Sequence, residues 1–167
     1  MAVTLVVIRH AKSDWEVAAV DRERPLARRG QKQAPETGRW LAAHAPALDL
    51  AVVSAAARTR QTWALIAEEL DDDVDVRDSE DAYTFDGGDL LDLVRQLPTS
   101  AGAVALVSHN PAVEELVEAL CEEWVPMPTS ALAVVELEDW GSAGDGTARL
   151  LAAGRPADDQ WSVRPAE

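Results

Sequence analysis

The chain has a single cysteine, Cys121, and lacks any apolar run near the roughly eighteen residues that a membrane span requires. One cysteine excludes an internal disulfide and fits a reducing cytoplasm. Cys121 itself reads as a small apolar residue late in a helix. Positive charge is also scarce: 15 lysines and arginines stand against 30 aspartates and glutamates, a formal net charge of −15. Such a surface repels nucleic acid and anionic lipid, which argues against a binder of either. The opening MAVTLVVIRH has neither a basic leading segment nor a small-residue cleavage site, so it reads as a first strand and not a signal peptide. No carboxylate spacing marks a metal site, and no repeat is apparent. A chain of 167 residues suffices for one well-cored domain, expected over 1–155, with 156–167 as a loose C-terminal tail.

What is present is a run of short β-branched segments, at 3–8, 50–53, 104–107 and 131–137, with a weaker one at 147–153. The first three are almost unbroken by polar residues, the pattern of strands covered on both faces. Helical periodicity falls between them. Val113, Leu116, Val117 and Leu120 form one stripe, and Trp63, Ile66, Ala67 and Leu70 another. Leu90, Leu91, Val94 and Leu97 predict a shorter helix ending at Pro98. Residues 28–45 also read as helix, kinked or delayed by Pro35, which lacks a backbone donor. Strands alternating with helices predict a three-layer α/β/α sandwich around a mainly parallel sheet. The glycine-rich 141–146 segment predicts the turn of a terminal hairpin.

Three strands run directly into polar residues that do not belong in a core. The first ends in Arg9-His10-Ala11-Lys12-Ser13, the second in Ser54 and, after a small-residue loop, Arg58-Thr59-Arg60-Gln61-Thr62. The third ends in Ser108-His109-Asn110-Pro111. Sites in parallel α/β sheets collect beyond the carboxyl ends of strands, so these clusters are expected to converge. Asn110 reads as an N-cap with Pro111 at the first helical position, and Arg58 lies near another helix start. Free backbone donors at such starts favour an anion, and the arginine fork fits phosphate oxygens in pairs. A neutral imidazole in that setting can attack phosphorus and carry the phosphoryl group as a covalent intermediate.

Arg9-His10 after a strand, Arg58 with Gln61-Thr62 at a helix start, and Ser108-His109-Asn110 together resemble the histidine phosphatase superfamily, also called phosphoglycerate mutase-like. With Ala11-Lys12-Ser13, Arg24-Pro25-Leu26, Gly30 and Pro111, the resemblance narrows to small SixA-type phosphohistidine phosphatases. It implies His10 as nucleophile, with Arg9, Arg58 and His109 completing a phosphate pocket that Lys12 and Ser13 could extend. It also implies a cytoplasmic, monomeric enzyme without a cofactor. Ala27 departs from the family, which often has a helix-capping threonine or serine there. Mutase relatives carry an acidic proton donor in the region that here contains Glu80 and Asp81, and neither is singled out by a motif.

Three functions fit these residues. The first is hydrolysis of phosphohistidine on proteins, whose leaving ring departs neutral once protonated and needs no strong acid. The second is hydrolysis of a small sugar or nucleotide phosphate, which would require Glu80 or Asp81 in the pocket. The third is a non-catalytic module that binds phosphorylated ligands, for which a histidine nucleophile has no use. Blander readings stand beside the individual residues: His10 as a structural histidine, Arg58 as a surface ion-pair partner, Lys12 and Ser13 as solvated loop. Arg24 and Arg28 either line the entrance or pair with Asp21 and Glu23. His44 reads as structural or exposed, and the six tryptophans as core and rim packing.

Overall fold

The strands alternate cleanly between two helical layers. In a computed structural model describing residues 2–166, β1 (Val3–Arg9), β2 (Leu50–Ser54), β3 (Asp75–Ser79) and β4 (Ala103–Ser108) run parallel. The last three strands, β5 (Leu132–Leu137), β6 (Arg149–Arg155) and β7 (Gln160–Val163), are antiparallel, and the sheet order is β3-β2-β4-β1-β5-β6-β7. Leu5, Val7, Leu50, Val52, Val104 and Leu106 face one layer, made by α3 (Gly87–Arg95) and α4 (Ala112–Cys121). Val6, Ile8, Ala51, Val53, Ala105 and Val107 face the other, made by α1 (Arg28–His44) and α2 (Ala57–Ala67). Period-two alternation thus divides the apolar side chains between two cores, one on each face of the sheet. This is the expected α/β/α sandwich. Among the described residues no helix is long and apolar enough to cross a membrane.

Helix starts follow local chemistry. Asp86 caps α3, its side chain accepting from Gly88 N–H at 2.7 Å. Ala27 caps α1 without a side-chain bond, as the sequence requires, and α1 runs unbroken through Pro35 from Arg28. The connection from β5 to β6 turns through Gly144 and Gly146, both with positive φ.

Four expectations need correction. β3 was not expected as a strand: its residues Asp75–Ser79 are mostly exposed and charged, because this edge strand has one neighbour and little core to face. The segment expected as a loose tail instead forms a 3-10 turn, Pro156–Asp158, and then β7, antiparallel to β6. Gly154 makes that pairing possible, since a Cβ there would stand 2.2 Å from the Gln160 carbonyl oxygen. Trp161 then reaches Trp40 of α1, ring centroids 5.3 Å apart. The N-terminus of α4 is one residue later than expected: Pro111 is the capping residue, and Asn110 Nδ2 instead donates to the Met127 carbonyl at 3.0 Å. The delay expected at Pro35 does not occur.

Gly30 ties this frame to the loop after β1. A Cβ at Gly30 would come within 2.2 Å of the Lys12 carbonyl oxygen, a backbone atom that cannot swing aside. Gly30→Ala is therefore expected to destabilise the protein by about 2–3 kcal/mol. Gly102→Ala, whose added methyl meets only an Asp49 carboxylate oxygen at 3.6 Å, should stay within about 0.5 kcal/mol. Urea melts of the two variants check the difference.

Candidate active site

The loop that follows β1 is tied at nearly every backbone group. His10 N–H donates to Ser108 O at 3.1 Å, and His10 O accepts from Ser130 N–H at 3.0 Å. Ala11 N–H donates to Thr62 Oγ1 at 3.0 Å, and Lys12 N–H to Gln33 Oε1 at 3.0 Å. Lys12 O accepts from Ala27 N–H at 2.9 Å. The Arg58-Gln61-Thr62 group thereby acquires a physical meaning. Thr62 fixes the histidine loop, Gln61 accepts from Leu26 N–H at 2.9 Å, and Arg58 holds the chain at Asp21.

The two histidines meet as expected, ring centroids 5.3 Å apart, beyond the adjacent parallel strands β1 and β4. His10 Nδ1 is 2.7 Å from the Ala11 carbonyl oxygen. A carbonyl only accepts, so Nδ1 carries the proton and Nε2 keeps its lone pair. Burial pushes the His10 imidazole down to about 4, with Arg58 and Arg9 adding to the fall against the opposing pull of the Ala11 carbonyl. His109 Nε2 lies 2.7 Å from Ser54 Oγ, which itself accepts a long bond (3.4 Å) from Ala56 N–H. With the Ser54 hydroxyl donating to Nε2, the His109 proton sits on Nδ1, a buried atom without a partner among the described residues, where it can face a phosphoryl oxygen. Burial, then His10 and Arg58, push His109 down to about 3. Both rings are neutral near pH 7.

The arginines approach from the two layers. Arg9 Nη1 donates to Met127 O at 3.1 Å, and its buried Nε has no partner among the described residues. Burial lowers its affinity for a proton, with Glu114 opposing. Arg58 is 4 % exposed and donates from Nη1 to Asp21 O at 2.7 Å and from Nη2 to Asp21 Oδ2 at 3.1 Å. Ser13 is buried and Lys12 half-buried on the same loop. Arg24 is buried with its guanidinium 3.8 Å over the Trp15 ring, while Arg28 and His44 are exposed.

The acids depart from expectation. Glu80 is exposed and ion-paired to Arg22, whose hydrogen bond holds the carboxyl below its ordinary range. That is the wrong direction for a proton donor. Asp81 is exposed and lines a groove of about 630 Å³ between β3 and α3, which is lined by none of His10, Arg9, Arg58 and His109. Neither Glu80 nor Asp81 hydrogen-bonds to a histidine.

The acid that does enter the site is Asp21, which the sequence offered only as a surface partner for Arg24 or Arg28. Partial burial pushes its carboxyl up, but hydrogen bonds from Tyr83 and Arg58 outweigh this and hold it below its ordinary range. Tyr83 and Phe85 were missed as well, and each lies with its ring centroid 5.4 Å from that of His109. No periodicity marks these residues; the only sequence signal was their place in the loop beyond β3. Among the described residues no group of three or more His, Cys, Asp or Glu could hold a metal ion.

Because the unfolded chain protonates its histidines near 6.5 while His10 and His109 titrate near 4 and 3, the unfolded state binds more protons between those values. Stability is therefore full above pH 6.5 and falls as the pH drops toward 3, by about 1.4 kcal/mol per pH unit for each histidine. Denaturant melts from pH 7.5 to 4 are expected to show that slope, reduced in His109→Phe. NMR titration should give a His10 midpoint near 4; a midpoint near 6.5 would contradict the buried neutral ring.

Comparison with known proteins agrees with this geometry. A family model, histidine phosphatase superfamily (branch 1), matches residues 5–93. An uncharacterized protein of Mycobacterium tuberculosis is 30% identical over 156 residues, covering 86% of this chain and 96% of that protein. The structure of a protein named putative phosphohistidine phosphatase SixA, from Nakamurella multipartitia, superposes with a TM-score of 0.81 at 30% identity, over 93% of this chain and 97% of the other. Its counterpart from Agrobacterium tumefaciens superposes with a TM-score of 0.80 at 27% identity, over 92% and 98% of the two chains. The chain belongs to the histidine phosphatase superfamily, branch 1, and is of the SixA type.

Proposed function

We propose that this protein is a phosphatase that takes the phosphoryl group of a protein phosphohistidine onto His10 and passes it to water. The observation that carries this reading is the bond from His10 Nδ1–H to the Ala11 carbonyl at 2.7 Å, on a ring that stays neutral down to about pH 4. It leaves Nε2 as a nucleophile that needs no base to free it.

The phosphoryl oxygens are received by Arg9, Arg58 and His109 Nδ1–H, with Ser13 and Lys12 at the loop edge. Arg9 Nε and His109 Nδ1 are buried and lack partners among the described residues, and phosphoryl oxygens would supply acceptors. His10 Nε2 attacks phosphorus, and the bond between phosphorus and the substrate ring nitrogen breaks, its electron pair returning to that nitrogen. The phosphorylated His10 ring retains its Nδ1 proton and is cationic, steadied by the Ala11 carbonyl. Water then attacks phosphorus and loses its proton to a phosphate oxygen. The P–N electron pair returns to Nε2, regenerating neutral His10. His10 needs no outside proton in either step.

Selection of phosphohistidine over an ester is supported by the acids. An alkoxide leaves poorly without a proton donor, whereas a protonated imidazole leaves neutral. Glu80 is held by Arg22, and Asp81 is exposed in a groove on the far side of Tyr83 whose lining includes neither histidine, so neither is placed as the donor that an ester requires. The proteins of Nakamurella and Agrobacterium that this chain resembles carry the name putative phosphohistidine phosphatase SixA, which agrees with this reading.

Phosphate release from a phosphohistidine protein and from p-nitrophenyl phosphate, for wild type, His10→Ala and His109→Ala, tests this. The wild type is expected to prefer phosphohistidine. His10→Ala should lose about a thousandfold or more, and His109→Ala about a hundred- to a thousandfold. A preference for the ester, still dependent on His10, would move the function to small phosphate esters. Activity surviving in His10→Ala would remove the nucleophile and the reading with it.

A further inference from the structure

The carboxylate of Asp21 is out of place in a pocket for an anion. It is 37 residues before Arg58 and 62 before Tyr83 in sequence, yet Arg58 Nη2 and the Tyr83 hydroxyl both donate to its Oδ2. Both bonds fall on one oxygen and leave Oδ1 to accept from a further donor. The side chain is 45% exposed, so that donor can come from solvent or from a ligand. Beside it, the Tyr83 and Phe85 rings stand edge to face, centroids 6.2 Å apart, and both lie against His109. Arg22 already lies over the Tyr83 ring at 5.7 Å, so this wall accepts a planar cation. Phe85 is 50% exposed and stacks with no cation among the described residues.

A phosphate ester has no use for such a place. Its leaving oxygen becomes negative as the P–O bond breaks, and an adjacent carboxylate opposes that charge. A protonated phosphohistidine ring differs in all three respects: it is flat, it is positive, and its distal nitrogen carries a donor.

Resting on the phosphohistidine reading above, we infer that Asp21 Oδ1 and the exposed face of Phe85, which Tyr83 backs edge-on, form a slot for the protonated imidazole ring of the substrate. The ring's distal N–H donates to Asp21 while its other nitrogen is bonded to phosphorus. When His10 Nε2 takes the phosphoryl group, the P–N electron pair returns to the ring, which leaves as neutral imidazole with its distal proton retained. The slot thus replaces a general acid: the ring arrives carrying the proton it needs. Asp21 is a specificity-determining residue, and Arg58 and Tyr83 hold it at the mouth of the pocket.

The test is the ratio of kcat/KM for a phosphohistidine peptide to that for p-nitrophenyl phosphate, in wild type, Asp21→Asn and Phe85→Leu. Asparagine keeps an oxygen for Arg58 and Tyr83, removes the charge, and puts an amide donor where the ring N–H would bond. Asp21→Asn is expected to lower the ratio about tenfold or more, the worth of one charged hydrogen bond. Phe85→Leu, at a half-exposed position that keeps its apolar contact, should lower it about threefold. Ester turnover retained or raised in each variant reports that the fold and phosphate pocket survive, and the ratio must fall through a lower kcat/KM on phosphohistidine; a fall due to faster ester turnover alone would overturn the slot. A ratio unchanged in both variants, with the wild type active on phosphohistidine, would overturn the slot and leave the proposed function standing. A wild type inactive on phosphohistidine would overturn both.

Discussion

A histidine attacks phosphorus only through a nitrogen that carries no proton, and here the Ala11 carbonyl, 2.7 Å from His10 Nδ1, decides which nitrogen that is. The rest of the site depends on that carbonyl staying where it is. Ala11 N–H is held by Thr62, the next amide by Gln33, and the Lys12 carbonyl by Ala27 N–H against the bare Cα of Gly30. Three elements, α1, α2 and β4, therefore converge on one short stretch of backbone. Thr62, Gln33 and Gly30 touch no substrate, yet they hold the loop that sets the ring's tautomer and aim. A loop with free amides would let the ring turn and lose the distinction between its two nitrogens.

Burial is the second half of the same device. A histidine in water is substantially protonated just below neutrality, and a protonated ring cannot attack. Removing His10 and His109 from water, beside two arginines, makes the charged forms unfavourable and keeps both rings neutral. The expense appears as stability lost on acidification. It also appears as the buried donors His109 Nδ1 and Arg9 Nε, which a fold optimised for stability alone would have paired. Sites of this kind are less stable locally than the core on which they rest.

The parts legible in the sequence were those joined by local rules. His10, Arg58 and His109 each follow an apolar strand or open a helix, and parallel strands carry such residues to one edge. The unbroken apolar runs and the helical periodicity between them gave the layers. The parts that were not legible depend on contacts distant in sequence. Asp21 finds its partners 37 and 62 residues away, and a carboxylate in a polar loop looks the same whether solvated or held. β3 and β7 were obscured by their places in the sheet. An outer strand has little core to face, so Asp75–Ser79 keeps charges where β2 has valines. Asn110 misled for a related reason: its side chain serves the Met127 carbonyl, a tertiary demand that outranked a local cap.

A chain with a formal net charge of −15 that binds phosphate presents an apparent conflict, which distance resolves. Most of its carboxylates are exposed, and solvent ions screen them beyond about 8 Å at physiological ionic strength. Arg58 and the two histidines are buried, so their effect on a phosphoryl group in contact with them is scarcely screened. Affinity is thus set by short-range donors, while the net charge acts on the approach. That long-range field opposes every small dianion alike, and inorganic phosphate as product is expelled by the field that slowed its entry. The acidic surface and the arginine pocket therefore act over different distances, the surface on the approach of any anion and the pocket on the group in contact with it.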